Sequence, residues 1–347
     1  MAAEKTPRRA GGQAVIEGVM MRAPGATSIA VRTPDKGITV LVKPSISIMD
    51  RVKLLSKPFI RGGIILMETM FDGVGALKYS ADRASGDDKS VQFLAGKAAI
   101  TGTMVISVLI GLGIFVVLPH ALTWGIGKLS SNTILESGSS AIFQLIEGGF
   151  KVIILLIYLE LILMMKDVKR VFQYHGAEHQ AVHTFESDME ILPENMETFT
   201  TAHPRCGTSL IFVVILVSVL VFAAVFPFLP KISNSNIVNN LAIILGKLLL
   251  IFPIAAISYE VIRFAFNHMD TWVGRILSAP GKWLQIHFTT RRPDKDQQEV
   301  GAAALRAALF CGECKNCHEQ EASFTDFNDF LSHFKDVLGT ERKTTTE

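Results

Sequence analysis

Long apolar runs dominate the hydrophobic pattern of this 347-residue chain. A helix that crosses a bilayer needs roughly 20 mostly apolar residues. Residues 98–119 and 209–229 form uncharged runs of this length, whereas 142–165 and 237–259 contain a few charged residues. The charged runs can still span if their charges lie near an end or face protein. We therefore predict four membrane-spanning helices, with a buried core helix or a re-entrant segment as the alternative for the two charged runs.

Short alternating runs precede the first predicted span. The runs at 14–21, 28–32 and 38–42 are separated by Ala-Pro-Gly and Thr-Pro-Asp-Lys-Gly, which favour turns. They predict a small three-stranded β-meander. Residues 59–83 then place apolar side chains on one helical stripe. This stripe fits an amphipathic helix at the inner membrane surface or, equally, a helix that covers the meander.

The predicted fold is an α-helical integral membrane protein with a small β-rich N-terminal part, α+β overall. The second span is expected to continue as a helix to residue 186, because no proline intervenes. The predicted regions are a disordered tail (1–10), a cytoplasmic β-meander with an amphipathic helix (11–97), a four-span membrane domain (98–260) with a central cytoplasmic His-rich segment (166–207), a cytoplasmic C-terminal segment (261–305) and a Cys-rich tail with a short Phe-rich helix (306–347).

Lysine and arginine are distributed unevenly between the predicted loops. Residues 1–97 carry fifteen of them, 166–207 carry four and the chain from 261 onward carries eleven. The connectors 120–141 and 230–236 carry one each. Because basic loops stay on the cytoplasmic side, we predict a multi-pass protein of the bacterial cytoplasmic (inner) membrane with both termini cytoplasmic. Glu17 interrupts the only apolar stretch near the start, so no cleavable signal peptide is predicted.

The composition agrees with a membrane protein. Apolar residues make up 49% of the chain and charged residues 19%, against about 25% in ordinary soluble domains. The mean hydropathy is +0.36. A net charge of +2 gives no bulk attraction to phosphate backbones, so no nucleic-acid partner is expected. The lipid bilayer is the expected partner, while protein partners and a homo-oligomer stay open.

Four of the nine histidines fall between residues 175 and 203. Side chains four apart share a helix face, so His175 and His179 can bind one metal ion, as can His179 and His183. His175 and His183 are roughly 12 Å apart along a helix and cannot easily share an ion. His203 and Cys206 precede the third span and can complete a zinc site of three ligands. These five residues predict a site for a divalent metal, with Zn²⁺ preferred. The alternative is surface or hydrogen-bonded core histidines.

The segment His175-x-x-Glu178-His179 also matches the H-x-x-E-H pattern of inverzincin metallopeptidases. In that pattern two histidines bind zinc and the glutamate is the general base. A third glutamate ligand has no clear counterpart here, although Glu186 and Glu260 are available. We therefore predict a metal-dependent hydrolase at the cytoplasmic membrane face with Glu178 as the catalytic base. The alternative is a non-enzymatic membrane scaffold or assembly factor with a structural metal.

Four segments of the chain resemble the YqhQ-like family of bacterial membrane proteins, which are labelled as predicted metal-dependent enzymes. The segments are GGQAVIEGVMMR at 11–22, YHGAEH at 174–179, HPRCGTS at 203–209 and TTR at 289–291 followed by PD at 293–294. Arg292 departs from the family pattern, which is expected to carry glutamate there. The resemblance covers roughly residues 11–305 and implies an enzyme of the membrane that depends on a metal. It also marks Glu17 and Arg22 as supporting residues. By strand alternation Glu17 faces solvent, or it pairs with Arg22 or the metal site.

The tail contains Cys311, Cys314, Cys317 and His318 within eight residues. The last three match the signature for c-type haem attachment, but that haem is attached outside the cytoplasm and the charge pattern places this tail inside. A second metal site of these four residues fits the spacing in a reducing compartment better. An iron–sulfur cluster lacks a fourth cysteine ligand. We therefore expect neither haem nor an iron–sulfur cluster, and reduced thiols are the alternative to a metal.

Overall fold

The N-terminal strands form an antiparallel sheet that the C-terminal part of the chain completes. The structure is a computed structural model that describes residues 10–45, 47–85, 97–314 and 317–337, so the predicted tail at 1–10 lies outside it apart from Ala10. The sheet follows sequence order: β1 (Gly11–Val15), β2 (Gly18–Ala23), β3 (Ala26–Arg32), β4 (Ile38–Pro44) and β5 (Gln320–Phe324). The three-strand prediction was too small, because β5 comes from the far end of the chain and pairs with β4.

A two-residue turn divides the first predicted strand. Val15 pairs with Gly18, and Glu17 between them has a φ of 49°, in the left-handed region. The prediction of one run over 14–21 was wrong because neither central residue of this turn is a usual turn former. The Glu17 carboxylate binds the Arg170 guanidinium at 2.6 and 2.5 Å and accepts a hydrogen bond from the Tyr174 hydroxyl. The hydrogen bond from Arg170 holds the pKa of Glu17 below its usual value, against the effect of burial.

Helices make up most of the rest of the described chain. Segment Gly113–Val117 is π-helical and joins α3 to α4, and segment Gln285–Thr289 is π-helical and follows α11. In chain order the helices are α1 (Ile48–Arg51), α2 (Arg61–Ala84), α3 (Lys97–Leu112), α4 (Leu118–Leu129), α5 (Thr133–Glu136), α6 (Ala141–Leu163), α7 (Lys166–Glu186), α8 (Pro193–Met196), α9 (Thr208–Val225), α10 (Asn236–Asn267), α11 (Trp272–Leu284), α12 (Lys295–Glu313) and α13 (Phe327–Val337).

Three helical stretches are long and apolar enough to cross a membrane. They are Val105–Leu129, Thr208–Phe228 and Asn236–Asn267. Helices α6 and α7 pass the same test together, although they are bent by 102° relative to each other. Each of the four predicted runs falls on one of these candidate spans.

The second candidate span ends in a sharp bend. Met165 has an extended backbone, with φ −79° and ψ 123°, and α7 starts at the next residue. The predicted continuous helix to residue 186 was therefore wrong. Helix α6 is mostly apolar, whereas α7 buries Tyr174, Ala181 and Val182 in the core beneath the sheet. The two halves pack against different neighbours, so the chain breaks without a proline.

Helices cover both faces of the sheet. On one face α12 and α7 pack against strand residues such as Val19 and Val40. On the other face Ala76 of α2 packs against Met20 and Ile29. The second half of α2 thus covers the meander, which was one of its two predicted roles. This sheet unit combines N-terminal, central and C-terminal segments of the chain.

The C-terminal segments are continuous with their neighbours. The predicted boundaries at 260/261 and 305/306 fall inside α10 and α12. Helix α13 carries the predicted phenylalanine face, and its Phe334 ring lies 5.5 Å from that of Phe310 in α12. Phe324 instead ends β5, so the helix starts later than the phenylalanine spacing indicates.

A buried network of charged and polar side chains joins three of the helices. Glu147 of α6 contacts Lys247 of α10, and its carboxylate lies 3.0 Å from Lys151 Nζ and 3.1 Å from His120 Nδ1 of α4. The other His120 nitrogen lies 3.1 Å from Asn240 Oδ1. All five side chains are buried. Three of the four charges within the predicted spans therefore face protein, as one of the sequence alternatives required, and the fourth is exposed near the end of α6.

Replacement of Glu147 should destabilise the fold strongly. In Glu147→Gln two buried ammonium groups lose the carboxylate that they share, so we expect the free energy of unfolding to fall by about 3–5 kcal/mol. Equilibrium unfolding of the detergent-solubilised protein measures this change. The matched control is Glu160→Gln, at an exposed position of the same helix, for which we expect a change within about 0.5 kcal/mol. Equal effects of both substitutions would contradict the role of the network.

Candidate metal centre

Two histidines of α7 and one cysteine before α9 converge at one point. His175 and His179 are one helical turn apart, and Cys206 lies on the segment that leads into α9. His175 Nε2 lies 3.2 Å from Cys206 Sγ. One ligand atom from each of the three residues lies within 4.8 Å of the other two, which is compatible with a single metal ion. Within the described ranges, this is the one group of three or more such residues that is close enough to hold an ion.

Backbone carbonyl groups fix the orientation of both imidazoles. His175 Nδ1 lies 2.7 Å from the Thr289 carbonyl oxygen, and His179 Nδ1 lies 2.5 Å from the Thr201 carbonyl oxygen. A carbonyl oxygen only accepts hydrogen bonds, so each Nδ1 carries the hydrogen and each Nε2 keeps a lone pair. Metal-binding histidines are commonly held in this way through their second nitrogen. The fold therefore sets the tautomer that a metal requires.

The sulfur of Cys206 is held in place at the start of α9. Its Sγ lies 3.1 Å from the Thr208 hydroxyl, and the Thr208 backbone N–H donates to it at 3.4 Å. The cysteine is buried and is not part of a disulfide. These contacts keep the sulfur directed toward the two imidazoles.

Glu178 lies directly beside the two imidazoles. Its Oε2 is 3.4 Å from His179 Nε2 and 4.0 Å from His175 Nε2. Burial raises the pKa of the Glu178 carboxyl, while the charges of His175 and His203 and a hydrogen bond from the Gly12 backbone act in the opposite direction. A Cβ on Gly12 would lie 2.9 Å from Glu178 Cγ, so β1 can approach this side chain only with glycine. The carboxyl is thus close enough either to bind a metal or to exchange a proton beside it.

His183 and His203 lie next to the triad but outside its ligand group. His183 Nε2 lies 2.9 Å from the Ala202 carbonyl oxygen, and its ring stacks on Phe199. His203 Nδ1 accepts a hydrogen bond from the Arg205 backbone, and its Nε2 lies 3.4 Å from Glu186 Oε2. Burial lowers the pKa of His203, and it lowers the pKa of His183 to about 4. The structure therefore selects three of the five predicted ligands.

The glutamates considered as a third inverzincin ligand have other partners. Glu186 pairs with Arg205, and Glu260 binds the Arg61 guanidinium at 2.8 and 2.5 Å. Glu17 pairs with Arg170, outside the triad, and Arg22 pairs with Asp72. None of these glutamates lies in the group of His175, His179 and Cys206, so the third potential ligand there is a sulfur and not a carboxylate.

A cavity of about 740 Å³ lies beside the triad. Its wall contains the three ligand residues and Glu178, two arginines, and apolar side chains of β2 and α7. The arginines are Arg22 and Arg205, and each is paired with a carboxylate. Arg22 therefore belongs to the site as a wall residue, whereas Glu17 acts at a distance by holding α7. The volume lies within the range of about 300–1,000 Å³ that is typical of small-molecule sites.

The second candidate metal site is not assembled in the described residues. Cys311 and Cys317 are joined by a disulfide, and the Cys314 thiol, which is buried, faces the Phe310 carbonyl oxygen. His318 lies outside any ligand group within the described part of the chain. The metal site at these four residues stays a prediction from their spacing.

Sequence reasoning missed the two carbonyl groups that orient the histidines. Thr201 lies in a polar loop without a distinctive pattern, and its carbonyl oxygen has no sequence signal. Thr289 begins the Thr289-Thr290-Arg291 motif, which contributed to the family resemblance but was given no role at the site. That motif was the available signal, since the Arg291 backbone N–H also donates to the Phe172 carbonyl oxygen of α7.

Comparison with known proteins identifies the family of the chain. The family described as "Protein of unknown function (DUF1385)" matches residues 57–310, a range that includes all three ligand residues. The "Uncharacterized protein YqhQ" of Bacillus subtilis (strain 168) is 29% identical over 327 residues, which cover 89% of this chain and 95% of that protein. No solved structure matches the chain. The extent of the family match shows that the chain is a YqhQ-like member of the DUF1385 family.

Proposed function

We propose that the protein is a metal-dependent enzyme of the bacterial cytoplasmic membrane, with hydrolysis as its reaction class. The observation that carries this proposal is the convergence of His175, His179 and Cys206 beside a buried carboxyl and a cavity. Two imidazoles and one thiolate suit zinc, and catalytic zinc sites commonly have three protein ligands. A bound zinc ion supplies Lewis acidity and activates water. Glu178 then accepts the proton of the attacking water.

The packing of the sheet unit supports four membrane crossings. The N-terminal strands, α7 and α12 belong to one core, so they lie on one side of any membrane. Two candidate spans, the α3–α4 stretch and α6, lie between the N-terminal strands and α7. Two more, α9 and α10, lie between α7 and α12. Only an even number of crossings returns the chain to the same side, so the proposed topology includes a crossing by α6. The basic residues of these segments favour the cytoplasm as that side.

A membrane scaffold or assembly factor with a structural metal is the second candidate. The observation in its favour is the 3.4 Å distance between Glu178 Oε2 and His179 Nε2, which is short enough for Glu178 to act as a fourth ligand. Structural zinc sites are closed by four protein ligands, whereas catalytic sites keep one position open. The two candidates therefore differ in the role of one carboxylate.

The purified protein should bind one zinc ion per chain through the triad. We expect His179→Ala and Cys206→Ser to lose the ion, because each removes one of three ligands. His183→Ala is the matched control, one turn further along the same helix, and it should keep the ion because His183 is held by Ala202. Elemental analysis after dialysis measures the content. Loss of metal in the control but retention in His179→Ala would contradict the ligand assignment.

Cobalt substitution separates catalysis from a structural role. In the cobalt(II) protein, Cys206→Ser should remove the thiolate-to-metal charge-transfer band. If Glu178 is a base and not a ligand, Glu178→Gln should keep the visible spectrum, and azide should perturb it by binding at the open position. The same variant should fail to restore the phenotype of a strain that lacks the gene. A changed spectrum in Glu178→Gln and no response of the parent protein to azide would favour the structural site instead.

A further inference from the structure

Helix α11 exposes a continuous apolar stripe. The outward side chains are Trp272, Ile276 and Trp283 of α11 and Ile286 of the π-helical segment that follows it, and they are 74%, 60%, 46% and 54% exposed. They follow one another at spacings of four, seven and three residues, and Ala279 fills the same face between them. This is the periodicity of one helix face. The stripe is therefore a surface that the described chain leaves uncovered.

The opposite face of α11 is packed tightly against two candidate spans. A Cβ on Gly274 would lie 2.1 Å from the His268 carbonyl oxygen at the end of α10. A Cβ on Gly281 would lie 2.2 Å from Ser209 Oγ at the start of α9. In the proposed topology both contacts are at the cytoplasmic ends of their spans. Helix α11 therefore contacts both of these ends.

The chemistry of the stripe fits a lipid interface. Tryptophan is enriched where the hydrocarbon of a bilayer meets its headgroups, and both ends of the stripe carry one. The neighbouring side chains are basic, since Arg275 is exposed and Lys282 is partly exposed. Helices with an apolar face and basic flanks lie in the plane of an anionic membrane surface. Phe264 on the last turns of α10 is also exposed, so the apolar surface continues from the span onto the region of α11.

We propose that α11 is an interfacial helix that lies in the cytoplasmic leaflet, with this stripe embedded at the boundary between lipid headgroups and acyl chains. The proposal rests on the proposed membrane location of the protein. It adds a lipid contact directly beside the metal centre. Gln285, which follows α11, accepts a hydrogen bond from the His203 backbone at 2.8 Å and donates to Ser209 Oγ at 3.0 Å. Thr289, four residues later, holds the His175 imidazole.

The three tryptophans of the chain allow a direct test. Two variants are reconstituted in vesicles of phosphatidylcholine and phosphatidylglycerol. One keeps only Trp272 (Trp124→Phe with Trp283→Phe), and the other keeps only Trp283 (Trp124→Phe with Trp272→Phe). Quenching is measured with lipids labelled at shallow or deep acyl positions, and with aqueous iodide. We expect lipid labelled at a shallow acyl position to quench most of the fluorescence of both tryptophans. This result would mean that the two tryptophans lie at the same depth. If the Trp272 variant does not fold, Ile276→Trp in a chain without other tryptophans reports on the same face.

Three outcomes would overturn the proposal. Depths that differ by roughly 16 Å would mean that the helix stands upright, because eleven residues rise about 1.5 Å each. Quenching by iodide alone would place the stripe in water. Resistance to both quenchers would mean that protein, such as a second copy of the chain, covers it.

A third variant keeps only Trp124, on the candidate span Val105–Leu129. Lipid quenching of Trp124 without quenching of Trp272 and Trp283 would reject the interfacial helix alone. Absence of lipid quenching at all three positions would reject the membrane location on which the proposed function depends.

Discussion

The geometry of the metal centre depends on how tightly α7 is packed. The helix is pressed against the backbone of residues 289–291, and a Cβ on Gly176 would lie 2.1 Å from the Arg291 carbonyl oxygen. Because Thr289 is only two residues away, this close approach also brings its carbonyl oxygen to the His175 ring. At the start of the same helix, the ion pair of Arg170 with Glu17 fixes α7 against the β1–β2 turn. The positions of both imidazoles are thus determined by backbone packing before any metal binds.

Burial favours the neutral form of the His179 imidazole, which is the form that a metal needs. Removal from water lowers the pKa of His179, although hydrogen bonds to Cys206 and to the Thr201 backbone oppose the shift. A neutral imidazole with its Nδ1 hydrogen already bound offers its Nε2 lone pair without competition from a proton. Folding already imposes most of the conformational order on the ligand side chains, so they are oriented before a metal ion binds. This is the physical reason why two ordinary helical histidines can form a site here.

The sequence allowed the main parts of the architecture and the site to be predicted, but not their connections. The spacing of His175 and His179 placed them on one face, and Cys206 was grouped with them because it precedes an apolar run. The same spacing relates His179 to His183, and only the loop that carries Ala202 decides that His183 is turned away. The bend at Met165 was missed because it follows from tertiary packing and not from a local breaker. Strand β5 was missed because its partner β4 lies near the other end of the chain.

The space around the triad bears on the choice between a catalytic and a structural metal. A structural zinc site is enclosed by its own ligands, and the ion has no need of an adjoining cavity. Here His175, His179 and Cys206 all line a cavity of about 740 Å³, together with Glu178. The cavity lies at the start of α9, directly beside the segment that connects α11 to α12. Because a site that only joined α7 to α9 would gain nothing from such a volume, the cavity favours catalysis more strongly than the identity of the ligands does.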